Sequence, residues 1–147
     1  MNENQTAERV DAGNVVIQVK NLHKIYKVGS TKVRALNGVD FEVCEGEFCA
    51  IVGTSGSGKS TLLNMLAGLE KPSKGEIVID GHHIEKMNEK QLVKFRRENV
   101  GFIFQSFNLL GTLNALENVA LPLSFRGIPK PIRLKRAMKM LRMVGLK

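Results

Sequence analysis

The 147-residue chain is 43% hydrophobic, which suits one domain with a real core and excludes a disordered polymer. No apolar run approaches the roughly 18 residues of a membrane-spanning helix, and Met1 to Asn14 are polar, without the apolar stretch of a signal peptide. The net charge of +8 sits wholly in the last thirty residues: acidic and basic groups balance as far as Glu117, and no acid follows it. Residues 1–14 therefore read as a loose N-terminal arm and residues 15–147 as a single domain, placed in the cytoplasm and reaching a membrane only through a partner.

Taken in chain order, Val15–Val19 is a β-branched run that predicts a strand. Residues 28–32, with Gly29 and Ser30, predict a loop, and residues 33–44 and 47–52 two further strands around a turn at Glu45-Gly46-Glu47. Phe48-Cys49-Ala50-Ile51-Val52 is continuously apolar, the pattern of a strand buried on both faces. Cys44 and Cys49 on these strands are too few for a zinc site and read as reduced thiols.

Lys59–Leu66 predicts a helix with Gly68 just past its end. A turn at Pro72–Gly75 leads into a strand over Glu76–Asp80, closed by Asp80-Gly81. Asn88-Glu89-Lys90-Gln91 and Asn114-Ala115-Leu116-Glu117 have the form of capping boxes. The first opens a charged helix to about Arg97; the second opens a short helix limited by Pro122. Val100–Phe104 predicts another apolar strand, and Pro129 and Pro131 precede a final helix to about Val144, stopped by Gly145. On that helix Leu134, Met138, Leu141 and Val144 or Gly145 fall near one stripe, while Arg133, Arg136, Lys139 and Arg142 lie largely elsewhere. This is an amphipathic helix with a solvated face, so no nucleic-acid partner is expected and a membrane-surface helix is the lesser alternative. The whole reads as α/β with antiparallel strands at the front.

The segment that carries chemistry is Gly53-Thr54-Ser55-Gly56-Ser57-Gly58-Lys59-Ser60, which fits G-x-x-x-x-G-K-[ST] between a predicted strand and a predicted helix. Glycines let the backbone turn its N–H groups inward as a nest for anionic oxygens, and the following helix N-terminus adds a positive field. Lys59 can reach the β- and γ-phosphates of a nucleotide, and the Ser60 hydroxyl can ligate Mg²⁺. The motif by itself defines only the broad class of P-loop NTPases.

Further residues narrow it. Asn21-Leu22-His23-Lys24-Ile25-Tyr26 and Val33-Arg34-Ala35-Leu36-Asn37-Gly38-Val39 precede the loop. Gly101-Phe102-Ile103-Phe104-Gln105-Ser106-Phe107-Asn108-Leu109-Leu110 and Leu116-Glu117-Asn118-Val119 follow it. This order of motifs over about residues 15–147 resembles the ATP-binding subunit of ABC transporters. Its Q-loop run is similar to that of the bacterial group serving macrolide export, lipoprotein release and antimicrobial-peptide resistance. The resemblance implies a P-loop NTPase core of the ABC type with an antiparallel β portion, truncated within the helical subdomain.

It also implies the roles of particular residues. Tyr26 would stack on adenine. Gly53, Thr54, Ser55, Gly56, Ser57, Gly58, Lys59, Ser60 and Thr61 would bind the phosphates of ATP. Gln105 would join Ser60 at Mg²⁺ or hold the attacking water, its loop leaning on a membrane permease subunit. The intact family works as an ATPase homodimer at the inner face of the membrane.

The family's later elements are a signature of the L-S-G-G-Q type, an apolar strand ending in Asp-Glu, a D-loop and a switch histidine. Residues 1–147 contain no Gly-Gly pair and no Asp-Glu pair. Glu76–Asp80 is an apolar run ending in aspartate, but Gly81 follows it, and Asp-Gly is a turn signal. His23, His82 and His83 do not stand where a switch histidine would. These residues are therefore expected to bind ATP without hydrolysing it alone, and no catalytic residue is assigned. A non-hydrolysing nucleotide-binding adaptor is the alternative.

Overall fold

The computed structural model describes residues 14–146, which group into two compact units divided along the chain between Arg96 and Arg97. The arm expected over residues 1–14 lies, apart from Asn14, outside the described residues.

The first unit is built on a long hairpin. Strand β1 (Val15–Val28) pairs antiparallel with β2 (Thr31–Cys44), and Gly29 and Ser30 form the turn. The predicted first strand is thus only the start of β1. The β-branched run marks where the strand begins, and the polar residues beyond it are drawn into the ladder by β2. The other edge of β1 takes β3 (Lys74–Ile79), with Val19 opposite Ile77 and Ile17 opposite Ile79. The two-residue strand β4 (His82–His83) follows through Asp80-Gly81. Both turn residues have positive φ, 47° and 72°, as a tight primed hairpin turn requires. The Asp80 that ends an apolar run is therefore a turn residue. The sheet order is β2-β1-β3-β4, antiparallel throughout.

Helix α1 (Lys59–Leu66) closes as the sequence predicts. Gly68 sits at φ 64°, its N–H donates to the Met65 carbonyl at 2.9 Å, and the Leu69 N–H donates to the Asn64 carbonyl at 2.9 Å. Those two bonds are the Schellman closure that satisfies the last carbonyls of a helix. Helix α2 (Glu89–Asn99) opens on the predicted capping box, with Gln91 N–H donating to Asn88 Oδ1 at 3.0 Å and Asn88 N–H to Gln91 Oε1 at 2.8 Å. The core of this unit brings together Val19 and Leu22 from β1, Leu62 and Met65 from α1, Ile77 from β3 and Phe95 from α2.

In the second unit, α3 (Ala115–Phe125) packs on α4 (Lys130–Met143) through the buried Ala120 and Ala137. The Asn114–Glu117 capping box forms in both directions. Pro122 does not limit α3, which continues three residues beyond it. The proline ring removes one i→i−4 bond but holds φ in the helical range, and packing on α4 offsets the loss. Leu134, Met138 and Leu141 are partly shielded and Arg136, Lys139 and Arg142 exposed, as predicted, but Val144, past the last helical residue, is exposed, and Arg133 is half-buried, donating to the Ile128 carbonyl at 3.4 Å.

Two predicted strands do not form. Residues 47–54 and 100–104 are irregular, with Phe48 94%, Val52 88% and Ile103 97% exposed. Cys49, expected on a strand, is exposed in the same run. An apolar run describes side chains; a strand exists only where a neighbouring backbone accepts its ladder. Among the described residues no segment pairs with either run. The regular sheet is therefore the antiparallel part of the mixed α/β fold.

The contrast between Ile77, fully buried, and Val52 is testable. Ile77→Ala should lower unfolding stability by about 2–5 kcal/mol, and Val52→Ser should shift it by less than about 0.5 kcal/mol. Urea denaturation of the chain measures both.

Candidate functional site

The glycine-rich loop is fixed against the sheet at one point. Between Lys24↔Leu36 and Ile25↔Arg34 the β1–β2 register shifts, leaving Ala35 as an extra residue in β2. Its carbonyl faces Gly58, which has φ 91°; a Cβ at Gly58 would lie 2.4 Å from that oxygen and 2.9 Å from Leu36 Cδ2. Only glycine allows both the left-handed backbone and this approach. Gly53 is constrained from within the loop, since a Cβ there would stand 2.7 Å from Ser57 Oγ. The turn is closed by the Ser57 N–H donating to the Thr54 carbonyl at 3.3 Å.

Gly58 is also the N-cap of α1 and offers no side-chain cap. The first N–H groups of the helix, at Lys59, Ser60 and Thr61, have no intrahelical acceptor and point outward from its positive end. The Lys59 ammonium bends back over the loop and donates to the Gly53 carbonyl at 2.8 Å, the Thr54 carbonyl at 2.7 Å and Ser57 Oγ at 3.2 Å. All three of its protons are thereby used by acceptors that are weaker than an anionic oxygen. Residues 53–57 are exposed, so the loop is open to a ligand.

Tyr26, near the end of β1, reaches the same helix. Its phenol oxygen lies 3.5 Å from Thr61 Oγ1 and donates its proton to Glu70 Oε2 at 2.6 Å. Partial burial and then the Glu70 carboxylate push the phenol above its ordinary ionisation range, and the Thr61 hydroxyl opposes them. Tyr26, Gly53, Thr54, Ser55, Gly56, Ser57, Gly58, Lys59, Ser60 and Thr61 thus all belong to the first unit and converge on the first turn of α1.

Gln105 belongs to the second unit, in an exposed irregular segment that follows residues 100–104. Nearby, Ser106 Oγ bonds Asn108 Oδ1 at 3.0 Å and Asn108 has φ 48°. The Asn118 side chain fixes the far end of this segment, accepting from Leu110 N–H at 2.9 Å and donating to the Leu113 carbonyl at 3.0 Å.

The residue that sequence reasoning did not single out is Glu70. Nothing in the spacing of Tyr26 and Glu70 joins them, because the helix and turn between them must fold first. Lys24, two residues before Tyr26 on the same side of a strand, does carry a periodicity signal.

A glycine-walled nest, an amine lodged in it and a helix N-terminus below it define a P-loop phosphate-binding domain. The comparisons with known proteins give the family: the chain belongs to the ABC transporter ATP-binding family, whose ABC transporter domain matches residues 36–147. An ABC transporter ATP-binding protein of Thermotoga maritima is 48% identical over 131 residues, covering 89% of this chain and 56% of its own length. The bacitracin export ATP-binding protein BceA of Halalkalibacterium halodurans is 46% identical, over 78% of this chain and 46% of its own. Among solved structures, the dimeric post-hydrolysis state of the ATP-binding cassette MJ0796 bound to ADP and Pi is similar at a TM-score of 0.83 and 44% identity. That match covers 89% of this chain and 58% of that one. The chain spans about half the length of the curated relatives it matches.

Two glycines separate backbone strain from crowding. A Cβ at Gly56, φ 79°, meets nothing within 4 Å, whereas one at Gly58 strikes the backbone of β2. Gly56→Ala should cost about 1–2 kcal/mol, the penalty of a left-handed residue. Gly58→Ala should cost clearly more and should also displace the loop from β2. Thermal melting, with amide exchange at residues 34–37, reads both effects.

Proposed function

We propose that this chain binds ATP with Mg²⁺ as the nucleotide-binding part of an ABC transporter subunit. The observation that carries the reading is the convergence on one helical turn. Lys59 bends over the glycine-rich loop, and Thr61, two positions on, touches the phenol of Tyr26. Groups suited to phosphate, on α1, and to base, on β1, thereby meet at one helical turn.

On this reading the Lys59 ammonium exchanges its loop carbonyls for the oxygens of the β- and γ-phosphates, a charge-assisted set of bonds that strengthens as the loop acceptors are given up. The N–H groups of Gly56, Gly58, Lys59, Ser60 and Thr61 bind the remaining oxygens, and Tyr26 lies against adenine. Mg²⁺ would supply charge neutralisation on the phosphates; in the first unit the Ser60 hydroxyl is the group that would hold it, and a role for Gln105, in the second unit, rests on the family resemblance alone. The fit of this ligand rests on the chemistry present: an exposed nest, a helix N-terminus without a side-chain cap, and one amine with a hydroxyl beside it.

The wider assembly is proposed by analogy with the family. The partner would be a permease subunit meeting the segment around Gln105, and the working form a dimer of cassettes at the cytoplasmic face of a membrane. No helix among the described residues is long and apolar enough to cross a membrane. The transport this chain would couple to is proposed to be export or release, a reading supported by relatives named for bacitracin and macrolide export. Residues 1–147 hold no Gly-Gly signature pair and no Asp-Glu pair. By themselves they are proposed to bind nucleotide without turnover, since loss of a transition-state group costs roughly a hundredfold or more.

Calorimetry with ATP and Mg²⁺ tests the reading. Lys59→Ala should weaken binding by about 1.5–3 kcal/mol, the scale of a hydrogen bond to a charged group, while phosphate release by the unaltered chain stays at background. An unchanged dissociation constant in Lys59→Ala would remove the phosphate assignment. Steady phosphate release would show that hydrolysis needs fewer groups than the family pattern implies.

A further inference from the structure

Tyr26 is held by more than the strand that carries it. Glu70 Oε2 accepts the phenol proton at 2.6 Å, and the same oxygen lies 3.7 Å from Lys24 Nζ. The Lys24 ammonium stands 5.1 Å from the centroid of the Tyr26 ring, over its face, and is fixed from behind by the Lys71 carbonyl at 2.8 Å. One carboxylate oxygen thus ties down both the tip of the ring and the cation that covers one side of it.

The segment that carries Glu70 does not need this tether in order to stay on β1. Ser73 N–H already donates to the His23 carbonyl at 2.8 Å, and Ile25 N–H donates to Ser73 Oγ at 3.0 Å. The Leu69 and Glu70 N–H groups are both held by the Asn64 carbonyl. With the backbone secured at both ends, what the Glu70 side chain adds is control of the tyrosine. A partly exposed aromatic ring otherwise changes rotamer on the picosecond to nanosecond scale. Ordering it on ligand binding costs free energy that a pre-set ring does not lose. A cation on one face also leaves the opposite face as the one a flat ligand can use.

We propose that Glu70 and Lys24 are positioning residues that pre-orient Tyr26, so that its free face is presented to a purine base whose phosphates lie on α1. The proposal rests on the nucleotide-binding reading above and adds to it the groups that set base affinity. Partial burial and the Glu70 carboxylate, which hold the phenol above its ordinary ionisation range, agree with a tether of this kind.

Tyr26 is the only tyrosine and the chain has no tryptophan, so phenolate absorbance and intrinsic emission report on this ring alone. In the full chain, Glu70→Ala should weaken ATP and ADP by one common factor of roughly three- to tenfold, less than the roughly five- to hundredfold loss from removing the stacked ring in Tyr26→Ala. Glu70→Gln, which keeps an acceptor for the phenol, should recover part of that loss. In Glu70→Ala the phenol should ionise at lower pH than in the parent chain. Placed on Tyr26→Phe, which has no hydroxyl to tether, Glu70→Ala should lose most of its effect. Lys24→Gln, which leaves the phenol–carboxylate bond in place, should weaken both nucleotides in the same way. If Tyr26→Ala weakens binding and Glu70→Ala and Lys24→Gln do not, the positioning role is overturned and base stacking stands. If Glu70→Ala costs as much in the Tyr26→Phe background as in the parent, Glu70 acts by another route and the proposal fails. If Tyr26→Ala itself leaves both dissociation constants unchanged, base stacking and positioning fall together.

Discussion

Everything in the first unit is hung on β1. A strand must have its backbone groups paired, and β1 is paired on both edges, by β2 over its whole length and by β3 over its first half. That double ladder brings residues 70–73 beside residues 23–26 and sets α1 over the sheet, with Leu62 and Met65 buried. The candidate site inherits its geometry from this arrangement. Tyr26 can meet Thr61 and Glu70 only because the strand and the return from the helix are held in one register.

The phosphate-binding loop depends on the same hairpin through a smaller feature. An irregularity at Ala35 presents a carbonyl to the loop, and Gly58 is the residue that lets the two backbones approach. The loop then ends on a helix N-terminus with no side chain competing for its N–H groups. Lys59 meanwhile is bound to two neutral carbonyls and a hydroxyl. Among the described residues its charge has no ion-pair partner, which leaves it able to exchange these acceptors for stronger, anionic ones. Pre-placement of the cation and openness to a ligand are both consequences of that choice of weak partners.

The two apolar runs at 48–52 and 100–104 show the limit of periodicity as a guide. Their composition is that of buried strands, and similarity to cassette structures is strong across the chain. Yet burial and ladder are properties of neighbours. Where no described segment supplies the hydrogen bonds, the backbone is irregular and Phe48, Val52 and Ile103 stand in solvent. The antiparallel sheet forms because its partners are present: β2 and β4 arrive through the tight turns at Gly29-Ser30 and Asp80-Gly81, and β3 is brought back to the free edge of β1 after α1.

What could be read from the sequence alone were the features whose cause is local. The P-loop spacing, the helix it opens, the Gly68 closure, both capping boxes and the Asp80-Gly81 turn each depend on residues within a few positions of one another, and each is present. Family membership was legible for the same reason, as an ordered set of short motifs. What only the tertiary structure decided were features whose cause lies far along the chain. They include the full length of β1, the passage of α3 through Pro122, the absence of ladders at the two apolar runs, and the carboxylate that holds Tyr26 from forty-four positions away. Local propensity states what a segment can become; the pairing and packing offered by distant segments state which of those possibilities lowers the free energy.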